Sequence, residues 1–108
     1  MQRGGYTYIM SSRTGTLYTG VTSKLEVRVW QHKHGTFAGF SSKYSCIRLV
    51  HCEAFDSITE AIDREKTIKG WRRAKKIALI EDTNPEWRDL AEYLGLPIRP
   101  LGIQGRNE

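Results

Sequence analysis

The stretch YTYIMSSRTGTLYTGV, residues 6–21, decides how this chain folds. Tyr6 to Met10 is rich in β-formers and alternates, with Tyr6, Tyr8 and Met10 on one side. Ser11 to Thr16 is turn-like, punctuated by Gly15. Leu17 to Val21 is β-rich again. The segment therefore predicts a β-hairpin whose loop is longer than the tight two-residue kind. In such a hairpin Tyr8 and Tyr18 stand on neighbouring strands and can open into one cleft.

A first helix is predicted from Ser23, where Ser23-Lys24-Leu25-Glu26 has the spacing of a capping box. Leu25 and Val29 make its inward face, and Arg28 and His32, also four apart, share a second face. Gly35 to Ser45 is rich in Gly and Ser and reads as a loop. Arg48 to Phe55 is the third strand, centred on Leu49, Val50 and Cys52. Ser57-Ile58-Thr59-Glu60 is a second capping box, opening a helix with Ile58, Ala61, Ile62, Glu65 and Ile68 on one stripe. Gly70 marks its bend or end, and Arg73 to Ile80 resumes a helical pattern. Asn84-Pro85 predicts a further helix start, since Asn caps and Pro is pre-set for the first helical position. Trp87, Leu90, Ala91 and Leu94 would line that helix and Gly95 would end it. Beyond it, Pro97, Pro100, Gly102 and Gly105 read as a mobile tail. The division is one domain over 1–95 and a tail over 96–108.

A chain of 108 residues builds one small core and little room for an elaborate pocket. Lys and Arg outnumber Asp and Glu by 17 to 12, which favours a polyanionic partner, nucleic acid before anionic membrane. Cys46 and Cys52 are the only cysteines, with neither a Cys-x-x-Cys spacing nor a framework of four. A zinc site and a stapled secreted fold are thus set aside, and reduced thiols in a cytoplasmic protein are expected. No stretch approaches the roughly 20 apolar residues of a membrane span.

Glu65 is the sharpest single signal. A carboxylate on an apolar stripe needs a cation, a hydrogen-bond donor or a metal. A salt bridge to a neighbouring Lys or Arg is the plain reading. Beside the tyrosine hairpin and Arg28, one Mg²⁺ or Mn²⁺ ion, keeping waters and taking substrate phosphate into its shell, is the stronger one. Arg28 can hold two phosphate oxygens, or simply face solvent. His32 can orient water or move a proton. A free phenol, with a pKa of about 10, is a poor base. A nearby cation favours its phenolate, so Tyr8 or Tyr18 is a candidate base, though both also suit a hairpin core. Between Arg64 and Lys76 the chain carries a dense basic run around Trp71. Lys69, Arg72, Arg73 and Lys76, with Lys43 in the loop, are the expected nucleic-acid contacts.

These residues, in this order, resemble the GIY-YIG nuclease family, in particular small stand-alone bacterial members similar to the nuclease domain of the excinuclease C subunit. The two half-motifs stand here as Tyr6-Thr7-Tyr8 and Tyr18-Thr19-Gly20, followed by Arg28, His32 and Glu65. The resemblance implies an α+β fold, with a three-stranded antiparallel sheet flanked by helices. It implies hydrolysis of DNA phosphodiesters with one divalent metal held by Glu65. Tyr6 and Thr7 depart from the motif's Gly and Ile. Many relatives have a supporting Asn, but Asn84 is explained locally as a helix cap and is given no such role.

The expected function is a metal-dependent DNA endonuclease, in repair or recombination, with Tyr8, Tyr18, Arg28, His32 and Glu65 as the catalytic set. The alternative is a nucleic-acid-binding module or accessory subunit that keeps the fold without the chemistry. A third reading is a protein acting on branched or damaged nucleic acid, or on RNA. Recognition of shape leaves no simple residue code, so substrate structure stays open.

Overall fold

Strand alternation sorts the hairpin's side chains onto two faces, and the faces recruit different helices. The structure, a computed structural model, describes residues 4–35 and 43–93. Residues 36–42 of the expected loop, the Leu94–Gly95 end of the expected last helix and the expected tail over 96–108 lie outside the described residues. Strands β1 (Gly5–Ser11), β2 (Leu17–Thr22) and β3 (Arg48–Phe55) form one antiparallel sheet in the order β2-β1-β3. The α+β fold expected from the hairpin and its resemblance is the one observed.

On one face Tyr8 and Met10 of β1 and Leu49 of β3 pack with Leu25 and Val29 of α1 (Leu25–Lys33), Cys46 and Ala91. On the other, Ile9 and Val50 pack with Ile68 of α2 (Ile58–Lys69) and Ile80 of α3 (Arg73–Thr83). Close approach of α2 to β1 has two visible causes. A Cβ at Gly5 would come within 3.0 Å of both Ala61 Cβ and Ile58 Cα, so only glycine lets the helix start there. Two residues on, the buried Thr7 hydroxyl donates to the Ala61 carbonyl at 2.7 Å. Thr7 thus carries a backbone tether that an Ile at this motif position would lack.

The helix ends confirm one sequence reading and correct two. Ser57 caps α2 as expected, its Oγ accepting from Glu60 N at 3.2 Å. Ser23 does not cap α1. The N-cap is Lys24, without a side-chain cap, and Thr22 Oγ1 instead accepts from Lys24 N at 3.0 Å. A hydroxyl leaving the end of β2 has taken the donor just ahead of the helix. Asn84-Pro85 does not start a helix either. Asn84 closes α3, Pro85–Glu86 form a turn, and Trp87 turns the chain at φ 55°. Among the described residues a single turn, α4 (Leu90–Tyr93), follows. Its cap is Asp89, whose Oδ1 accepts from Ala91 N at 3.1 Å and from Leu49 N of β3 at 3.2 Å, while its other oxygen pairs with Lys33.

Asn84 is drawn away from capping by a tertiary demand. The β1–β3 register jumps from Ile9↔His51 to Met10↔Leu49, leaving Val50 as a bulge without a ladder partner. The buried Asn84 amide donates to the Val50 carbonyl at 3.1 Å and to the Arg88 carbonyl at 2.9 Å, and its Oδ1 accepts from Arg88 N at 3.0 Å. One side chain thereby serves the bulge and the turn after α3. Asn84→Ala would leave a buried carbonyl unpaired and should destabilise the fold by about 2–3 kcal/mol in urea denaturation. A loss well under about 1 kcal/mol would mean that the bulge does not depend on this amide.

Candidate active site

Tyr8 and Gly20 are partners across β1 and β2. A Cβ at Gly20 would lie 2.4 Å from Tyr8 Oη and 2.5 Å from Cζ, so the ring lies directly across the glycine. The second half-motif needs its glycine here for space, so that the Tyr8 phenol can lean over β2. The phenol meets α1. Tyr8 Oη and His32 Nε2 share a hydrogen bond of 2.9 Å, and Tyr18 closes the group with its ring centroid 5.0 Å from His32 and 6.4 Å from Tyr8. His32 is buried beside the Leu25–Val29 stripe, so the face it shares with Arg28 turns toward the sheet rather than away from it. Arg28, one turn earlier, hydrogen-bonds the Tyr8 phenol.

Glu65 comes from the opposite side. Helix α2 packs against both β1 and β2, and Glu65 lies buried on its inward stripe between Ala61 and Ile68. Lys69, one turn on, places Nζ 2.6 Å from Glu65 Oε2. The Glu65 charge acts on both phenols, and the Lys69 charge acts on Tyr18. β2 is an edge strand, and along it Leu17, Tyr18, Thr19, Lys69 and Lys76 line an open cavity of ≈ 270 Å³. The five candidate catalytic residues are therefore coupled in one small region, though they come from four elements.

Their protonation follows from burial. Desolvation pushes the Tyr8 phenol far above its ordinary range, the Tyr18 phenol adds to this, Arg28 opposes it and Glu65 adds slightly. Tyr18, only partly buried, is also raised by desolvation, but Lys69 and Arg28 pull it back. His32 is pushed down to about 4, first by burial and then by the Arg28 charge, and is neutral at physiological pH. The site thus holds one phenol locked in its neutral form, one phenol open to water beside two cations, and a neutral imidazole.

A divalent ion fits the oxygen chemistry in a limited way. Among the described residues no cluster of three or more His, Cys, Asp or Glu side chains could hold a metal alone. Glu65 offers one hard carboxylate that already faces a cation, the Lys69 ammonium. Such a site suits Mg²⁺ or Mn²⁺ whose remaining positions are filled by water and substrate phosphate.

The basic residues divide. Lys69 and Lys76 line the cavity beside Tyr18. Arg73 leans on the hairpin loop, its guanidinium 3.1 Å from where a Cβ on Gly15 would be. Arg72, the N-cap of α3, is exposed. Lys43 is exposed, its ammonium 5.4 Å from the Tyr44 ring centroid. The sequence reading gave Lys69 to nucleic acid and named a salt bridge from Glu65 to a neighbouring Lys or Arg as the plain reading, and the structure forms that bridge with Lys69. The signal for this partner was present, since Glu four residues before Lys is the favoured helical ion-pair order. A second polar cluster was missed: Glu53 accepts from Arg64 at 2.8 and 3.1 Å and shares a 2.7 Å hydrogen bond with His51. Burial opposes ionisation of Glu53, yet these partners hold its carboxyl below the ordinary value. His51 and Glu53, two apart in β3, had a legible common face.

Three comparisons bear on this arrangement. A family model described as the GIY-YIG catalytic domain matches residues 4–78. A UPF0213 protein from Natronomonas pharaonis is 43% identical over 77 residues, which is 71% of this chain and 91% of that protein. Another from Staphylococcus saprophyticus is 38% identical over 77 residues, 71% of this chain and 94% of that protein. The solution NMR structure of a UPF0213 protein from Bacillus halodurans aligns with TM-score 0.52 at 30% identity, covering 82% of this chain and 94% of that one.

The depressed His32 pKa sets a pH dependence. Between an unfolded value near 6.5 and a folded value of about 4, the unfolded chain binds the proton that the folded chain refuses. Stability should therefore be full above about pH 6.5 and fall as pH drops toward 4. The urea midpoint of the native protein should fall across that window, and His32→Asn should flatten this dependence. An NMR titration placing His32 near its ordinary value would overturn the assignment.

Proposed function

This chain belongs to the GIY-YIG family, and from that premise we propose that it is a divalent-metal-dependent endonuclease hydrolysing phosphodiester bonds in DNA. The observation that carries the proposal is the buried Glu65 carboxylate, held against a cation beside two phenols and Arg28. A nucleic-acid-binding module has no need of a buried carboxylate, which repels the phosphate it must hold.

Each residue has a role that its surroundings support. Glu65 would hold the ion. When bound, the ion supplies charge neutralisation at the phosphate and a lowered pKa for a coordinated water. Arg28 would turn its fork to phosphate oxygens and stabilise the charge that grows there. Tyr18 is the better candidate base, because water reaches it and, although desolvation leaves its phenol raised overall, Lys69 and Arg28 pull it back, so an ion held at Glu65 would have less to overcome than at the fully buried Tyr8. Tyr8 has no exposed surface and keeps its proton, so it is the positioning partner of His32. A neutral His32 would assist by holding the Tyr8 phenol in place, since burial and Arg28 both disfavour its protonated form. Lys76, Arg72, Arg73 and Lys69, gathered at the end of α2 and the start of α3, would track the phosphate backbone, with Lys43 as a smaller outlying contact.

Cleavage of labelled single-stranded, duplex, nicked and branched DNA with Mn²⁺ tests the reading. Glu65→Gln should abolish cleavage and leave the fold intact, and wild-type rates in that variant would remove Glu65 as metal ligand. Tyr18→Phe should bind DNA normally and lose on the order of 10²–10⁴ in rate, with a smaller loss for Tyr8→Phe. The reverse order would transfer the base role to Tyr8.

The backbone track makes a separate prediction. Charge reversal at Arg72 and Arg73 should weaken binding to all DNA sequences alike. The slope of log affinity against log salt should flatten by about 0.9 for each lost duplex phosphate contact. An unchanged slope would return these residues to the solvated face of a helix.

A further inference from the structure

The Glu65–Lys69 pair is unequal. The carboxylate is fixed, its side chain 11% exposed, while the lysine side chain is 55% exposed. Lys69 also lines the cavity along β2, together with Lys76, Leu17, Tyr18 and Thr19. Its ammonium therefore lies between two destinations, the Glu65 carboxylate and a pocket whose other cation, Lys76, makes no ion pair among the described residues. An i,i+4 pair with one exposed partner is weak, and a monovalent ammonium on a flexible stem yields readily to a divalent ion.

We propose that Lys69 is a placeholder for the metal and a phosphate ligand in turn. In the metal-free protein it neutralises the buried Glu65 carboxylate and keeps the inward stripe of α2 stable. On metal entry it gives up Glu65 and turns into the β2-edge cavity, where with Lys76 it forms a subsite for a phosphodiester next to the one attacked. This rests on the reading of Glu65 as the metal ligand. Its consequence is reciprocal coupling: metal strengthens the backbone contact, and a phosphate in the cavity strengthens metal binding. No new bond or redox change is involved. The device lets a protein with one metal carboxylate keep that carboxylate paired at every stage.

Mn²⁺ binding, followed by calorimetry without DNA, tests the placeholder. Lys69→Met removes the competing ammonium and should tighten Mn²⁺ binding about twofold, the equivalent of a pair worth about 0.4 kcal/mol. Lys69→Arg keeps the pairing charge and should stay near wild type. Lys76→Met removes a cation that does not touch Glu65 and should also stay near wild type. Unchanged or weaker binding in Lys69→Met overturns the proposal, as does equal tightening in Lys76→Met, which would indicate general repulsion only. If Mn²⁺ binds wild type and Lys69→Met equally, the metal reading stands and the placeholder alone falls. If it binds neither, both fall. The subsite is read from salt dependence of duplex DNA binding with and without Ca²⁺. Ca²⁺ should steepen the wild-type slope by about 0.9 more than that of Lys69→Met, the signature of one added phosphate contact. Equal steepening would overturn the subsite.

Discussion

Tyr8 lies on Gly20 with no room for a Cβ between them, and the rest of the site depends on that contact. It demands the β1–β2 register in which the two residues face each other, because a slip of one would turn the phenol to the other face. It sends the phenol oxygen over β2 rather than into the core. There the buried hydroxyl must find a partner, and His32 supplies it. That bond orients α1 and so brings Arg28 to the same phenol. A glycine chosen for space thus aligns a strand pair, a helix and a cation.

Charge is balanced across the sheet. The tyrosines and α1 stand on one face, while α2 packs its apolar stripe on the other and reaches the β2 edge with Lys69, the partner of Glu65. In a domain this small, a charge cannot be hidden from its neighbours. Arg28 lowers the His32 pKa and favours both phenolates, Glu65 opposes the phenolates, and Lys69 offsets Glu65 beside Tyr18. The residues act as one electrostatic unit, and their roles differ mainly through burial. Tyr8 and Tyr18 share a chemistry, but only one of them is reached by water.

The carboxy-terminal part of the domain is tied down by amides and carboxylates more than by helix. Asn84 serves the Val50 bulge, and Asp89 joins α4, β3 and Lys33. The bulge leaves a carbonyl without a ladder partner, and a side chain from the end of α3 becomes its substitute.

Local rules were enough to read the hairpin, the third strand, the stripe of α2 and its Ser57 cap. Each depends on alternation, a 3.6-residue period or a side chain bonding its own backbone. The candidate residues were legible too, Glu65 because a carboxylate on an apolar stripe is unusual in itself, and the tyrosines only through the ordered set of residues they belong to. Tertiary structure decided what local rules could not reach. Ser23 and Asn84 carry good capping chemistry, yet Thr22 takes the donor before α1 and Val50 claims the Asn84 amide. His32 was readable as a helical residue four from Arg28, but its burial, its neutral state and its bond to Tyr8 exist only once the sheet and α1 meet. The difference in accessibility between Tyr8 and Tyr18 arises in the same way. Periodicity reports which side of an element is apolar, whereas desolvation and partner choice depend on atoms distant in sequence, and those set the chemistry.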